Sequence, residues 1–293
     1  MNNHGMHCNF QLSGTLEPLC FLNNMTTIFR IQFHKIDRRG SGCKSALRWL
    51  MLIFVISGIL PATVIAEYPD APAQFSADYV ARYGGFRASA ERKLTKDDAG
   101  IFVMHSAIEL KLLGQTLSTI RESSKFTLNE ENGQTRPEYY EFLQTGLGGR
   151  SRQITFDWQQ RSSTVHIDNQ AINIPLEGSE TDNLSAYLEI RRQLIAGKKD
   201  IIFPGIYKGK LEEIHYRVNG EELVDTLPGT FNTLRLERIR EPDSDRSTVI
   251  WLAPAWDYLL IKLIQEEPGN STISLELKAA IVNDQPVFNP AEI

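Results

Sequence analysis

The chain has 293 residues, 42% of them hydrophobic and 23% charged, with a formal net charge of −5. That apolar share can build a sizeable core, and the acidic balance excludes nucleic acid and anionic lipid surfaces as bulk partners. All three cysteines, Cys8, Cys20 and Cys43, precede an apolar run, so the rest of the chain has no disulfide, thiolate nucleophile or Cys-based metal site.

Residues 1–44 show neither sustained alternation nor a helical stripe. They are expected to be a disordered leader, or the product of a start codon assigned too far upstream. Residues 45–66 follow. Trp49 to Ile65 is apolar apart from Ser57, Gly58, Pro61 and Thr63, and Arg38, Arg39, Lys44 and Arg48 precede it. A basic stretch, an apolar stretch and a small-residue end together describe a secretory signal. Val64 and Ala66 fit the −3 and −1 positions of a cut between Ala66 and Glu67. The competing reading is an uncleaved inner-membrane anchor facing the periplasm, since the run approaches the roughly 17 residues that just span a bilayer. Cleavage would leave a soluble periplasmic product. Six basic and two acidic residues precede Glu67, so the remainder carries a net charge of −9.

Residues 67–293 are expected to form a single antiparallel β domain. Phe75, Ala77, Tyr79, Ala81 and Tyr83 alternate onto one face, as do Phe86, Ala88 and Ala90 after Gly84-Gly85. Phe102, Met104, Ile108, Leu110 and Leu112 continue the pattern, then "ITFDW", and near the end Ile273, Leu275, Leu277 and Ala279. Period-two alternation marks strands packed on one face and wet on the other. Turns are predicted at Asp97–Gly100, Asn132-Gly133, Asp168-Asn169, Asn219-Gly220 and Pro268-Gly269-Asn270. Strands joined by short turns imply an antiparallel meander, and "YLLIKLIQEEPGNSTISLELKAA" reads as its last hairpin.

"SETDNLSAYLEIRRQLIAG" breaks the period. Ser179-x-x-Asp182 resembles a capping box, and Gly197 suits the residue after a helix end. Leu184, Tyr187, Leu188, Ile190, Leu194 and Ile195 fall on one side at about 3.6 residues per turn. Arg191 lies in the middle of that arc, and Arg192 beyond its edge. A guanidinium on a packed face needs a partner. Arg191 therefore either makes a structural ion pair with the sheet or, with Tyr187 beside it, reads an anionic group of a ligand. The expected fold is mainly β: a large curved antiparallel sheet, an open or partial barrel, with one helix on its concave side.

The stretches "ADYVARYGGFRASAERKL", "DNLSAYLEIRRQLIAG", "GTFNTLRLERI" and "IWLAPAWDYLLIKLIQ" leading into "STISLELKA" resemble an exported bacterial family known only as a domain of unknown function, family three-one-zero-eight. The resemblance implies a periplasmic protein of a Gram-negative bacterium. More distantly, it implies a fold similar to open β-barrels that carry lipoproteins or assist capsule assembly.

No residue set announces catalysis. His105, His166 and His215 are far apart in sequence, with no metal-ligand spacing. Glu212-Glu213 and Glu266-Glu267 point to opposite faces of their strands, and "GLGGR" reads as a hairpin loop. Trp158, Trp251, Trp256, Tyr139 and Tyr140 read as core residues. No catalytic residue, metal or cofactor is expected. The favoured reading is a non-enzymatic envelope protein that holds an apolar or glycan ligand, or a partner, in the concave face. The alternatives are an assembly factor with a filled core, and a hydrolase with an unrecognised site. Expected partners are a lipid, a glycan or an envelope protein, with no nucleic acid, and with membrane contact only through an uncleaved signal segment.

Overall fold

The computed structural model describes residues 71–288, apart from 84, 147, 169, 243 and 268–270. The leader, the signal segment, the Ala66–Glu67 cut and the Pro268-Gly269-Asn270 turn lie outside the described residues. The strands are β1 (Phe75–Tyr83), β2 (Phe86–Lys96), β3 (Phe102–Leu112), β4 (Gln115–Leu128), β5 (Thr135–Gly146), β6 (Arg150–Asp157), β7 (Ser162–Ile167) and β8 (Gln170–Pro175). Helix α1 (Ala186–Ile195) follows, then β9 (Asp200–Tyr207), β10 (Lys210–Thr226), β11 (Gly229–Ile239), β12 (Ser247–Ala253), β13 (Leu259–Glu267), β14 (Ser271–Val282) and the two-residue β15 (Gln285–Pro286).

All fifteen strands belong to one antiparallel sheet, ordered β8-β7-β6-β5-β4-β3-β2-β1-β14-β13-β12-β11-β10-β9, with β15 beside β14. Each half is a meander of sequential neighbours, as the short turns require. The first and fourteenth strands join the halves in the middle, so β8 and β9 are the two edges. Register shifts at Asp78/Tyr79, Leu110/Lys111, Lys125/Phe126, Val218/Glu221 and Trp251/Leu252 distribute the bend. Bulges of this kind increase local twist and let a long sheet curl.

The curl brings the edges together without closing the ladder. A Cβ on Gly209, in the β9–β10 turn, would sit 2.9 Å from Ile167 Cδ1 and 3.2 Å from Ile172 Cδ1. Gly209 also has φ +75°, so it meets a tight turn and a close approach at once. The edge of β9 is covered instead by the connection from β8 to α1. Thr181 makes a parallel bridge to Gly205, and Ile206 N–H donates to the Thr181 carbonyl at 2.8 Å. Covering an edge strand in this way protects its open hydrogen-bonding groups.

The concave face holds the core. Tyr79, Leu94, Met104, Phe126, Leu236 and Leu277 are almost fully buried there. Phe102 and Phe126 stack at 5.5 Å, and the buried Tyr79 hydroxyl donates to the Leu260 carbonyl at 3.0 Å. The C-terminal hairpin pairs β13 with β14 as expected, from Lys262↔Glu276 to Glu267↔Ser271.

Four sequence expectations need correction. Asn219-Gly220 is not a turn: it lies within the 17-residue β10 as a bulge, with Gly220 at φ +95°. The chain turns later, between Thr226 and Gly229, where Pro228 cannot donate to a ladder. Ala279 is exposed and Ala280 buried, because a bulge at Lys278 against Asp78/Tyr79 flips the phase of β14. Ile195, in the last turn of α1, is 39% exposed, at the end of the helix's packed stretch. The capping box is displaced by three residues. Asp182 Oδ1 accepts the Leu184 and Ser185 N–H groups at 2.8 and 3.0 Å, and Ser185 Oγ accepts the Asp182 N–H at 2.9 Å. That reciprocal pair holds the turn leading into α1. At the other end Gly197 (φ +74°) behaves as anticipated: its N–H donates to Leu194 O and that of Lys198 to Gln193 O, a complete Schellman motif.

Candidate functional site: a lumen with a cationic mouth

The alternation of up and down strands puts the C-terminal ends of β1, β3, β5, β7, β9, β11 and β13 at one end of the curled sheet. Helix α1 fills the concave face toward the other end. Seven of its ten residues are buried, Glu189, Arg191 and Gln193 among them. A cavity of about 530 Å³ remains between α1 and the sheet. That falls within the range of small-molecule sites, about 300–1,000 Å³.

The polar groups at the helix end are paired. Arg191, 6% exposed, meets Asp257 Oδ1 through Nε at 2.7 Å and Nη2 at 2.5 Å. Asp257 Oδ2 accepts the Ala73 N–H at 2.7 Å. Tyr187 donates to the Tyr258 carbonyl at 2.7 Å, and the Arg92 guanidinium stacks over its ring at 5.1 Å. Burial pushes the Tyr187 phenol well above its ordinary range. Asp257 and Tyr258 both adopt positive φ, 56° and 61°. Backbone strain of this kind persists only where surrounding contacts hold it, and these two side-chain bonds do so. The structure thus places Arg191 in an ion pair at the sealed end, away from the cavity lining, and puts Tyr187 on that lining.

A second network, buried at Asp182 and Ser124 and exposed at Asn183, ties the start of α1 to the sheet. Ser124 donates to Asp182 Oδ2 at 2.6 Å, and Glu122 Oε1 accepts from Tyr140 and Asn183, both at 2.6 Å. Burial raises the Asp182 carboxyl above the usual carboxylate range, against the opposing pull of the Ser124 and backbone hydrogen bonds. Glu180, fully buried, folds back to accept the N–H groups of Glu177, Gly178 and Ser179 at 2.7, 3.0 and 3.1 Å.

The lining changes along the strands. Deep in the lumen lie Ile190 of α1, Ile250 and Leu260, while Ile214 of β10 stands nearer the open end, level with Arg240. Toward the open end, β12 passes from Ile250 to Thr248 and β13 from Leu260 through Leu263 to Gln265. Leu236, Arg238 and Arg240 share a face of β11, where Leu236 is buried and the two arginines line the cavity. Lys208, Lys210 and Arg246 join them. The opposite wall, on β2 and β3, carries Ala90, Ser106 and Ile108, with Arg92 nearer the helix end over the Tyr187 ring.

The cations differ in their partners. Arg246 binds Glu267 with Nε at 3.0 Å and Nη2 at 2.5 Å. Arg238 approaches Glu212 at only 3.9 Å. Arg240 donates through Nη2 to the neutral Thr248 Oγ1 at 2.7 Å, while its buried Nε has no hydrogen-bond partner among the described residues. Burial, together with the neighbouring charges of Arg238 and Arg246, lowers the Arg240 pKa.

The other flagged residues behave structurally. Tyr140 and Trp251 are core residues, while Tyr139, Trp158 and Trp256 are half-buried. Of "GLGGR", Gly146 ends β5 and Arg150 begins β6, both at the open end. His105 and His166 are exposed, and His215 Nε2 lies 2.9 Å from the exposed Asp200 Oδ1. Glu212 lines the cavity and Glu213 does not. Among the described residues, no group of three or more His, Cys, Asp or Glu side chains is placed to hold a metal.

The basic mouth was not anticipated from the sequence. Its residues lie on separate strands and turns, and "RLERIREPDSDR" reads as a solvated, charge-rich stretch. The one signal was phase: Arg238 and Arg240 continue the buried series of Leu236.

A single antiparallel sheet curled around a helix and an internal cavity defines an open-barrel protein. The chain belongs to the family described as "Protein of unknown function (DUF3108)", whose profile matches residues 78–278. Among solved structures it is similar to the β-barrel-like protein of domain of unknown function DUF1849 from Brucella abortus, with a TM-score of 0.50 and 7% identity, covering 72% of this chain and 98% of that one. At that identity the likeness concerns the fold alone. No curated protein matches the chain.

Proposed function

We propose that this is an exported, non-enzymatic envelope protein that holds an apolar ligand in the lumen of its sheet, in the periplasm of a Gram-negative cell. The observation that carries the reading is the cavity of about 530 Å³ left between α1 and the sheet, with apolar residues at its depth. A core filled by the helix, as an assembly factor would have, leaves no such volume. The basic, apolar, small-residue order of residues 45–66 supports export, with the chain from Glu67 onward released. An apolar molecule in such a space removes its own surface and that of the lining from water, at about 25 cal/mol per Å².

The test is binding of an apolar fluorescent naphthylamine to the protein purified from a periplasmic fraction without detergent. The dye is expected to bind in the native protein. Ile108→Trp, which places an indole into the lumen, is expected to abolish binding without lowering the melting temperature. Equal binding by the native and Ile108→Trp proteins would place the dye elsewhere and remove the support for a lumen site.

A further inference from the structure

We infer that the mouth of the lumen recognises an anionic headgroup through Arg238, Arg240 and Arg246, so that the ligand is an amphiphile lying with its apolar chain toward α1 and its acid group at the open end. This rests on the lumen reading and adds the chemistry and direction of what is bound.

Four observations carry it. The first is an excess of cations in an acidic protein. The lining holds Arg92, Lys208, Lys210, Arg238, Arg240 and Arg246 against Glu122, Asp182 and Glu212, while the whole chain has a net charge of −5. The second is that two of the acids are already engaged: Glu122 by Tyr140 and Asn183, and Asp182 by Ser124 and the α1 turn. The third is the state of the arginines. Among the described residues Arg240 makes no ion pair and its buried Nε has no acceptor. Arginine does not shed its proton to relieve such a position, and Glu267, bonded to Arg246, and the more distant Glu212 offset only part of the charge of three guanidiniums, so a further anion beside Arg240 is favoured. The fourth is direction. On β11, β12 and β13 the inward residues run from Leu236, Ile250 and Leu260 to Arg240, Thr248 and Gln265, all toward the same end. A molecule aligned with the strands meets hydrocarbon first and cations last.

The geometry suits a compact acid group. The guanidinium fork offers two parallel N–H donors to a carboxylate or phosphate, in charge-assisted bonds roughly twice as strong as neutral ones. Arg246 keeps its Glu267 partner and serves as a flanking charge, whereas Arg240, held only by the neutral Thr248, supplies a positive charge with no carboxylate partner among the described residues.

The experiment is displacement of the naphthylamine dye from the same periplasmic protein by dodecanoate, dodecyl phosphate and dodecanol, each below its aggregation concentration. Dodecanoate or dodecyl phosphate is expected to bind at least about tenfold more tightly than dodecanol, with the preference shrinking in high salt. The order of the two acids identifies which anion the mouth prefers. Arg240→Met is expected to remove about tenfold of the acid affinity, leave dodecanol binding unchanged, and leave the ligand-free melting temperature the same or higher. Arg238→Gln provides a second variant with the same expected pattern. Equal affinity of the native protein for the acids and the alcohol overturns the headgroup site and leaves the lumen reading standing. Dye that binds but yields to none of the three also overturns it. Dye that never binds overturns the lumen reading itself.

Discussion

The two ends of the lumen solve opposite problems. At the helix end, polar groups are buried deeply and paired closely: Arg191 with Asp257, Asp182 with Ser124 and Ser185, Glu180 with three backbone N–H groups. At the open end, Arg246 is paired with Glu267, but Arg238 and Arg240 face the lumen with a distant carboxylate or none among the described residues, and apolar side chains such as Leu113, Tyr83 and Phe86 are exposed at the hairpin tips. The difference teaches where stability is held and where it has been given up. A sealed end organised by mutual pairing should be sensitive to any single deletion. An open end with unmet bonding capacity should tolerate substitution, or even gain from it.

The largest effect is expected from Arg191→Met. It keeps the stem volume and strands the Asp257 carboxylate, and breaking a buried pair from one side costs about 3–5 kcal/mol. Asp257 is 24% exposed at its side chain and keeps the Ala73 N–H, so the loss should lie near about 3 kcal/mol, at the lower limit. The check is a fall in the urea midpoint with an unchanged slope. Asp257→Asn in the same background should recover part of it, because asparagine tolerates the positive φ and no longer leaves a charge unpaired. An unchanged midpoint in Arg191→Met would show that the pair contributes nothing, and that the sealed end does not depend on it.

That pair also marks how far sequence reading went. The wheel position of Arg191 was enough to demand a partner, because a guanidinium on an apolar arc has few alternatives. Its partner was illegible: Asp257 is 66 residues away, in a turn whose two positive-φ residues are not glycines. Strands were legible wherever one face stays wet, as in β1 and β2. They failed where a bulge reset the phase, at Asn219-Gly220 and at Lys278, since alternation cannot reveal an inserted residue. The helix span was legible from its apolar stripe and Gly197, but its start was not. Asp182-x-x-Ser185 and Ser179-x-x-Asp182 look alike until one sees which side chain is buried. The cavity was foreseen only as a question, and its cationic mouth not at all, because it assembles from β9 through β12 and their turns.

A smaller effect, within the same sealed end, concerns pH. Burial raises the Asp182 carboxyl in the folded protein. The folded state therefore holds that proton more tightly than the unfolded chain, whose aspartate titrates near about 3.9. The group's contribution to stability is fully present below that pH and is lost as pH rises through the raised folded value. Asp182→Asn lacks this titration. Its Oδ1 can still accept the Leu184 and Ser185 N–H groups, and its amide can donate to Ser124, whose hydroxyl turns to accept. Unfolding measured from pH 4 to 7 should show the variant gaining on the native protein as pH rises. The opposite slope would mean that the hydrogen bonds to the charged carboxylate outweigh its burial.

The smallest expected effect has the opposite sign and lies at the open end. Leu113 and Gly114 form the two-residue connection between Leu112 and Gln115, with φ of 50° and 79°. Positive φ at both positions is the type I′ pattern that matches strand twist, and it favours Asn-Gly. A leucine there costs about 1–2 kcal/mol of backbone strain relative to a residue at home in that region. It is also 95% exposed, so burial offsets none of that cost. Asparagine relieves part of the strain without touching any packed residue. Leu113→Asn should therefore stabilise the protein by about 0.5–1 kcal/mol, read as a rise in the urea midpoint with the slope unchanged. A loss of stability instead would mean that the leucine makes contacts at the mouth which its exposure does not show, and the contrast between a paired end and a permissive one would have to be redrawn.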